Sequence, residues 1–222
     1  MEEHIVRILK IEPVTHNVRR YTVEKPAGYK FIPGQATEVS INSDRWKAEK
    51  RPFTFTCLNN KPYLEFTIKS YTDHDGVTNA LGKLHAGDTL IIRDVWGTIN
   101  YKGPGVFIAG GAGVTPFIAI LRQLYADHAL AGNMLIFSNK TSGDIILEEE
   151  FTQMLGKNFL NTLTEENNPS FEHRMIDESF LKDHITDFSQ HFYVCGPDPM
   201  VLAITGLLTK LGAETETVVF EK

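Results

Sequence analysis

The apolar run Val106-Phe107-Ile108-Ala109 leads into a glycine-rich turn, Gly110-Gly111-Ala112-Gly113-Val114-Thr115-Pro116-Phe117, and then into the helix-patterned run Ile118-Ala119-Ile120-Leu121-Arg122-Gln123-Leu124. Strand, tight turn and helix in that order commit this part of the chain to a sheet carrying helices on its faces. Glycines let a backbone approach an anion closely, and the helix start offers unpaired N–H groups and a positive dipole end. A glycine turn with no ligand is the plainer alternative. The ordinary dinucleotide fingerprint does not fit, because counting from Gly111 a proline, Pro116, stands where the third glycine belongs. Thr115 suits the N-cap, and Pro116 the first helical position, where its missing N–H costs nothing.

The pattern differs on the two sides of Lys102-Gly103-Pro104-Gly105. Before it, short Val-, Ile-, Phe- and Thr-rich runs such as 37–41, 63–68 and 89–95 read as strands of a small antiparallel barrel. After it, strands at 106–109, 134–138, 158–164, 191–195 and 217–220 alternate with helices near 116–128, 144–155, 178–184 and 198–211. That alternation predicts a doubly wound parallel α/β sheet. The 222 residues thus divide into 1–102 and 103–222, each near the roughly 100 residues that bury a core.

A net charge of −6 with no long basic stretch argues against nucleic acid. No segment is apolar for long enough to span a membrane. Cys57 and Cys195 lie far apart, without metal-ligand spacing or a second cysteine set for an iron–sulfur cluster. Nothing at the N-terminus resembles a signal peptide, so the default expectation is a cytoplasmic monomer. Glu148-Glu149-Glu150 reads as the solvated face of a helix.

Three further segments carry chemistry. In Arg51-Pro52-Phe53-Thr54-Phe55-Thr56 a guanidinium suits phosphate, a ring offers a flat face, and a threonine hydroxyl can bond a ring nitrogen. Together these suit a flavin, although an ordinary barrel strand explains the same residues. Strict alternation would put Arg51, Phe53 and Phe55 on one face; Pro52 marks a sheet edge or bulge where neighbours could share a ligand. Ile68-Lys69 leads toward Gly76-Val77-Thr78, a second turn able to hold phosphate or simply to cap a helix. Finally, Tyr193-Val194-Cys195-Gly196-Pro197-Asp198-Pro199-Met200 ends a strand where open α/β sheets bind ligands. Cys195 has no sequence neighbour to activate it, so a covalent role is not expected.

In their order along the chain, Arg51-Pro52-Phe53-Thr54, Gly76-Val77-Thr78, Gly110 to Pro116 and Cys195 to Met200 resemble the ferredoxin–NADP reductase superfamily, flavodoxin and flavin reductases included. The resemblance spans nearly the whole chain. It implies an N-terminal flavin-binding barrel, a C-terminal NAD(P)-binding domain, and rings that meet in the cleft between them. By that match Arg51 and Thr78 bind flavin phosphates, Phe53 stacks on the isoalloxazine and Thr54 bonds near N5, with Pro52, Ile68, Lys69, Gly76 and Val77 lining the same site. Phe53 stands where the family more often has Tyr.

Gly110, Gly111, Gly113, Thr115 and Pro116 then hold NAD(P)H, with Thr115 near the nicotinamide. Cys195, with Gly196, Pro197 and Met200 around it, sits at the hydride-transfer point, and Thr54 and Cys195 are the catalytic candidates. Phe220 could close the flavin's other face. Ser138, Lys140 and Arg174 would meet the adenosine end; Asn139 replaces the arginine common in NADPH-specific members, which tilts preference toward NADH. The implied function is a flavin-dependent NAD(P)H oxidoreductase with FAD, or FMN, feeding ferredoxin, flavodoxin or another carrier. Arg45, Lys47, Lys50 and Lys30 could form its docking patch. Reduction of free flavin or a ferric complex is one alternative, and a non-catalytic flavin- or nucleotide-sensing subunit is another.

Overall fold

The computed structural model describes residues 2–73, 75–97 and 99–214, and the backbone of 218–220. Six strands form the first sheet: β1 (His4–Pro13), β2 (Val18–Glu24), β3 (Gln35–Ile41), β4 (Arg51–Thr54), β5 (Tyr63–Lys69) and β6 (Thr89–Gly97). A short helix, α1 (Val77–Leu81), lies between β5 and β6. The strand order is β4-β3-β6-β1-β2-β5, and every pairing is antiparallel.

The barrel closes just after β4. Phe55 N–H donates to the Gln35 carbonyl of β3 at 3.1 Å, while Thr56 N–H donates to the Glu65 carbonyl of β5 at 2.9 Å. The chain crosses there from the first strand of the order to the last, leaving Phe55 fully buried among Tyr29, Phe31 and Phe66. β5 is buried on both faces. Leu64, Phe66 and Ile68 fill the barrel, whereas Glu65 and Thr67 face outward toward the second half of the chain.

That half holds β7 (Gly105–Gly110), β8 (Met134–Asn139), β9 (Phe159–Leu163), β10 (His191–Cys195) and β11 (Val218–Phe220), parallel in the order β11-β10-β7-β8-β9. Four helices flank it: α2 (Thr115–Ala126), α3 (Glu148–Leu155), α4 (Glu178–His184) and α5 (Asp198–Lys210). Alternate residues of β7 feed separate cores: Phe107 and Ala109 pack with α2 and α3, Val106 and Ile108 with α4 and α5. Burial on both faces explains why these strands read as unbroken apolar runs. Val18 and Ile99 of the first half are buried in the α2-side core, so the two halves share one apolar interface.

Two local expectations need correction. Thr115 is the first residue of α2 and not its cap, and Pro116 is second; the cap position is Val114, with no side-chain bond. The glycine turn is already a 3₁₀ helix over Gly111–Val114 and winds straight into α2, leaving no extended residue to cap it. Likewise α3 begins at Glu148 rather than near 144, because Asp144 is spent in a capping box with Thr141 around a separate short turn, Ser142–Asp144. Among the described residues no helix is long and apolar enough to cross a membrane.

Tyr193 ties the connection between halves to the sheet. Its hydroxyl accepts from Lys102 N–H at 2.9 Å and Gly103 N–H at 3.1 Å, and donates to the Gly103 carbonyl at 2.8 Å. Tyr193→Phe should leave these backbone groups underserved and lower stability by about 1–3 kcal/mol. An unchanged urea midpoint for this variant would contradict that role.

Candidate functional site

The strand order places the reversal point of the second sheet between β7 and β10, from whose carboxyl ends α2 and α5 leave toward opposite faces. A crevice at such a point is where open α/β sheets bind ligands. Here it opens into a cleft of about 540 Å³ whose far wall is the barrel.

The barrel wall is built from Pro52, Phe53 and Thr54 at the end of β4, Thr67, Ile68 and Lys69 at the end of β5, and Tyr71 and Thr78 beyond it. Three consecutive residues of β4 reach one cavity, which regular alternation forbids. Pro52 lies on the terminal strand of the order, and the chain is already turning away toward β5.

Opposite stand Gly110 to Gly113, Thr115, Cys195, Gly196, Pro197 and Met200. Their spacing leaves no room for side chains. A Cβ on Gly113 would fall on the carbonyl of Cys195, 2.6 Å from its carbon, and one on Gly110 would overlap the Met200 sulfur. Gly111 alone faces open space, at φ +52°, the left-handed region that favours glycine. Cys195 is buried, 3% exposed, as expected of a small apolar thiol rather than a nucleophile.

The third wall is the end of β8 and the loop after it: Ser138, Asn139, Lys140, Asp144 and, from beyond β9, Thr164. Asn139 is 5% exposed, and neither its amide nitrogen nor its amide oxygen has a hydrogen-bond partner. Buried amides are rarely left so. The two unpartnered groups suit a polar ligand that both donates and accepts.

Several nominated residues lie elsewhere. Arg51 is exposed beside the cleft, its guanidinium donating to the Lys50 carbonyl at 2.7 Å and 3.7 Å from Glu49. Gly76 caps α1 without lining the cavity, and the Val77 side chain is buried in the barrel core. Pro116 is buried in α2. Arg174 is held by Asp183 at 3.0 Å and Asp177 at 3.5 Å and lies over the Phe180 ring, away from the cleft. Lys140 does line it but is paired with Glu165 at 2.8 Å. The Phe220 side chain lies outside the described residues.

Of the proposed docking cations, Arg45 pairs with Asp75, Lys47 with Asp44 and Lys50 with Glu38, which removes most of the basic field. Glu150 is not merely solvated but grips Arg122 with both carboxylate oxygens. Thr67, Asp144 and Thr164 line the cleft unnominated, while sequence reasoning used Asn139 only for not being arginine and gave Tyr71 no role. The signals for Asn139 and Tyr71 were a polar residue closing an apolar strand and an aromatic one just past a strand end.

Comparison with known proteins agrees with this geometry. Residues 6–101 match the oxidoreductase FAD-binding domain family, and residues 107–205 the oxidoreductase NAD-binding domain family. The reductase component of propane 2-monooxygenase from Rhodococcus jostii is 27% identical over 97% of this chain and 62% of its own length. NADH-cytochrome b5 reductase 2 from Mycosarcoma maydis is 28% identical over 93% of this chain and 65% of its own. The chain thus spans somewhat under two thirds of those relatives. In fold it superposes on a ferredoxin NADP+ reductase from Neisseria gonorrhoeae with bound FAD and NADP, at a TM-score of 0.87 and 19% identity, over 100% of this chain and 98% of that one.

The two domain matches place this chain among oxidoreductases that join an FAD-binding domain to an NAD-binding domain, and its fold is the one the ferredoxin NADP+ reductase has.

Proposed function

We propose that the chain is an NADH-dependent reductase that holds FAD on residues 1–102, binds the nucleotide on residues 103–222, and delivers electrons to a separate protein acceptor. The observation that carries this reading is the single cleft with Phe53 and Thr54 on one wall and the glycine turn with Thr115 and Cys195 on the other. Bound flavin would supply an acceptor for hydride and a donor of single electrons. The protein supplies geometry. Phe53 offers a stacking face, and Thr54, 8% exposed on a closed strand end, presents a hydroxyl in a fixed place. The N–H groups of the Gly110–Gly113 turn would take the pyrophosphate, and Thr115 and Cys195, which line the same wall, would bound the nicotinamide. Thr78, which lines the cleft, would meet the flavin phosphates, with Arg51 swinging from its exposed tether to join it. The relatives named for a monooxygenase component and for cytochrome b5 support a protein acceptor over free flavin.

Anaerobic mixing of the purified flavoprotein with NADH tests the reading: the visible flavin absorbance should bleach, and a one-electron acceptor such as ferricyanide should restore it. Flavin lost on gel filtration, with reduction of added free flavin, would favour a flavin-substrate reductase instead. No bleaching with either nucleotide would leave a sensing subunit. Arg51→Ala should weaken flavin binding by about ten- to hundredfold, the worth of a charged hydrogen bond of roughly 1.5–3 kcal/mol. Equilibrium dialysis giving an unchanged dissociation constant would remove Arg51 from the site.

A further inference from the structure

Outside the lining of the cleft, one guanidinium joins the two halves. Arg122 lies on α2, about two turns beyond Thr115, so the helix whose start faces the nucleotide also carries this side chain. Its Nη1 donates to the Thr56 carbonyl and to Glu65 Oε1, both at 2.7 Å. Its Nε and Nη2 donate to the Glu150 carboxylate on α3, at 2.5 and 2.8 Å. The Arg122 side chain is 18% exposed and that of Glu65 9%. The barrel end of the bridge is itself wired to the cleft. Thr56 Oγ1 donates to Glu65 Oε1 at 2.8 Å and lies 3.2 Å from Thr67 Oγ1, and Thr67 lines the cavity. Thr56 is also two residues past Thr54 on the strand proposed to meet the flavin.

We infer that Arg122 is a positioning residue that fixes the spacing between the nicotinamide and flavin sites by locking α2 to the β4–β5 segment. The inference rests on the proposed function, in which each end of this bridge carries one coenzyme. Planar, multidentate bonding to two carboxylates and a carbonyl resists rocking of one wall against the other, which a single point charge would not. Arg122 lines no part of the cleft and reaches it through α2 and through the Thr56, Glu65 and Thr67 set. Loosening it should therefore slow hydride transfer while leaving each coenzyme's own binding groups intact, because transfer depends far more steeply on separation than binding does.

The test uses the FAD-loaded protein and two variants, Arg122→Met and Glu150→Gln, read by anaerobic stopped-flow with NADH. Arg122→Met should keep a wild-type ratio of FAD to protein and a similar dissociation constant for NADH, yet reduce its flavin at least about tenfold more slowly. The long-wavelength absorbance given by a nicotinamide stacked on oxidised flavin should weaken in parallel. Glu150→Gln keeps the Glu65 and Thr56 bonds and should show a smaller slowing, about threefold, at an unchanged melting temperature. Wild-type reduction rates in the variants, or slowing no greater than the loss of FAD, would overturn the inference. If Arg122→Met does not fold, Glu150→Gln decides in the same terms. Wild-type protein that neither NADH nor NADPH reduces would overturn the proposed function along with this inference, whereas normal rates in the variants overturn the inference alone.

Discussion

Gly113→Ala is expected to cut the rate of flavin reduction by NADH about a hundredfold while leaving FAD bound. The added Cβ would stand 2.6 Å from both the Cys195 carbonyl carbon and the Gly196 Cα, where ordinary contact begins near 3.4 Å. Both neighbours are backbone, so no side chain can swing aside. The turn and the end of β10 must therefore part by roughly 1 Å, and a displacement of that size at a reacting centre costs about 10²-fold. Stability should fall by about 1–3 kcal/mol, the usual cost of overpacking. The barrel is untouched, so the FAD-to-protein ratio should hold. Gly111→Ala is the control: its Cβ meets nothing within 4 Å, and its positive φ alone should cost about 1–2 kcal/mol. Stopped-flow rates for the two variants side by side check the argument. A Gly113→Ala protein reduced as fast as Gly111→Ala would show that this close approach does not position the nucleotide.

Why Gly113 could be nominated from sequence, and Arg122 could not, comes down to the range of the signal. A glycine in a strand–turn–helix junction has a local physical reason to be there, and the alternation of apolar runs around it suffices for a parallel sheet with its ligand crevice. The barrel strands at 37–41, 63–68 and 89–95 were legible for the same reason, as was Pro52 as an irregular strand end, whereas β1, β2 and the closure after β4 were not. The order of β7 to β11 follows from the handedness of crossovers rather than from any single residue. What local pattern does not encode is the docking of one half on the other. Glu65 reads as the polar, outward residue of an alternating strand, and only the arrival of α2 makes it a buried partner for Arg122. Glu150 reads as solvated until Arg122 reaches it. Asn139 looked informative only for not being arginine; its unpartnered amide emerges once β8 is packed on both sides. Arg174 misled in the opposite sense. Composition suggested a cation for the nucleotide, while Asp177 and Asp183 nearby on the same stretch of chain hold it away.

NADH is expected to exceed NADPH in kcat/KM by about a hundredfold, and the reason lies at the end of β8. A free 2′-hydroxyl can both donate and accept, which is what the unpartnered Asn139 amide requires. A 2′-phosphate can only accept when fully ionised, and it brings nearly two negative charges into a loop already furnished with acids. Asp144 lines the cleft, and Glu166 accepts from Ser142 N–H at 2.6 Å. That bond, with further ones from Asn168 and the Ser142 hydroxyl, holds its carboxyl below the ordinary carboxylate range. The loop's own cation, Lys140, is engaged by Glu165 at 2.8 Å, and Arg174 is occupied elsewhere. A phosphate brought beside these carboxylates would meet like-charge repulsion that no free cation of the loop offsets. Screening by salt reduces this, so the preference should narrow as ionic strength rises. Glu165→Gln frees Lys140 and should shrink the NADH-to-NADPH ratio several-fold, mainly through a lower KM for NADPH. Steady-state kinetics with both nucleotides at two salt concentrations measures all of this. A ratio near one at low salt, or one that salt does not change, would mean that the 2′ position never approaches this loop.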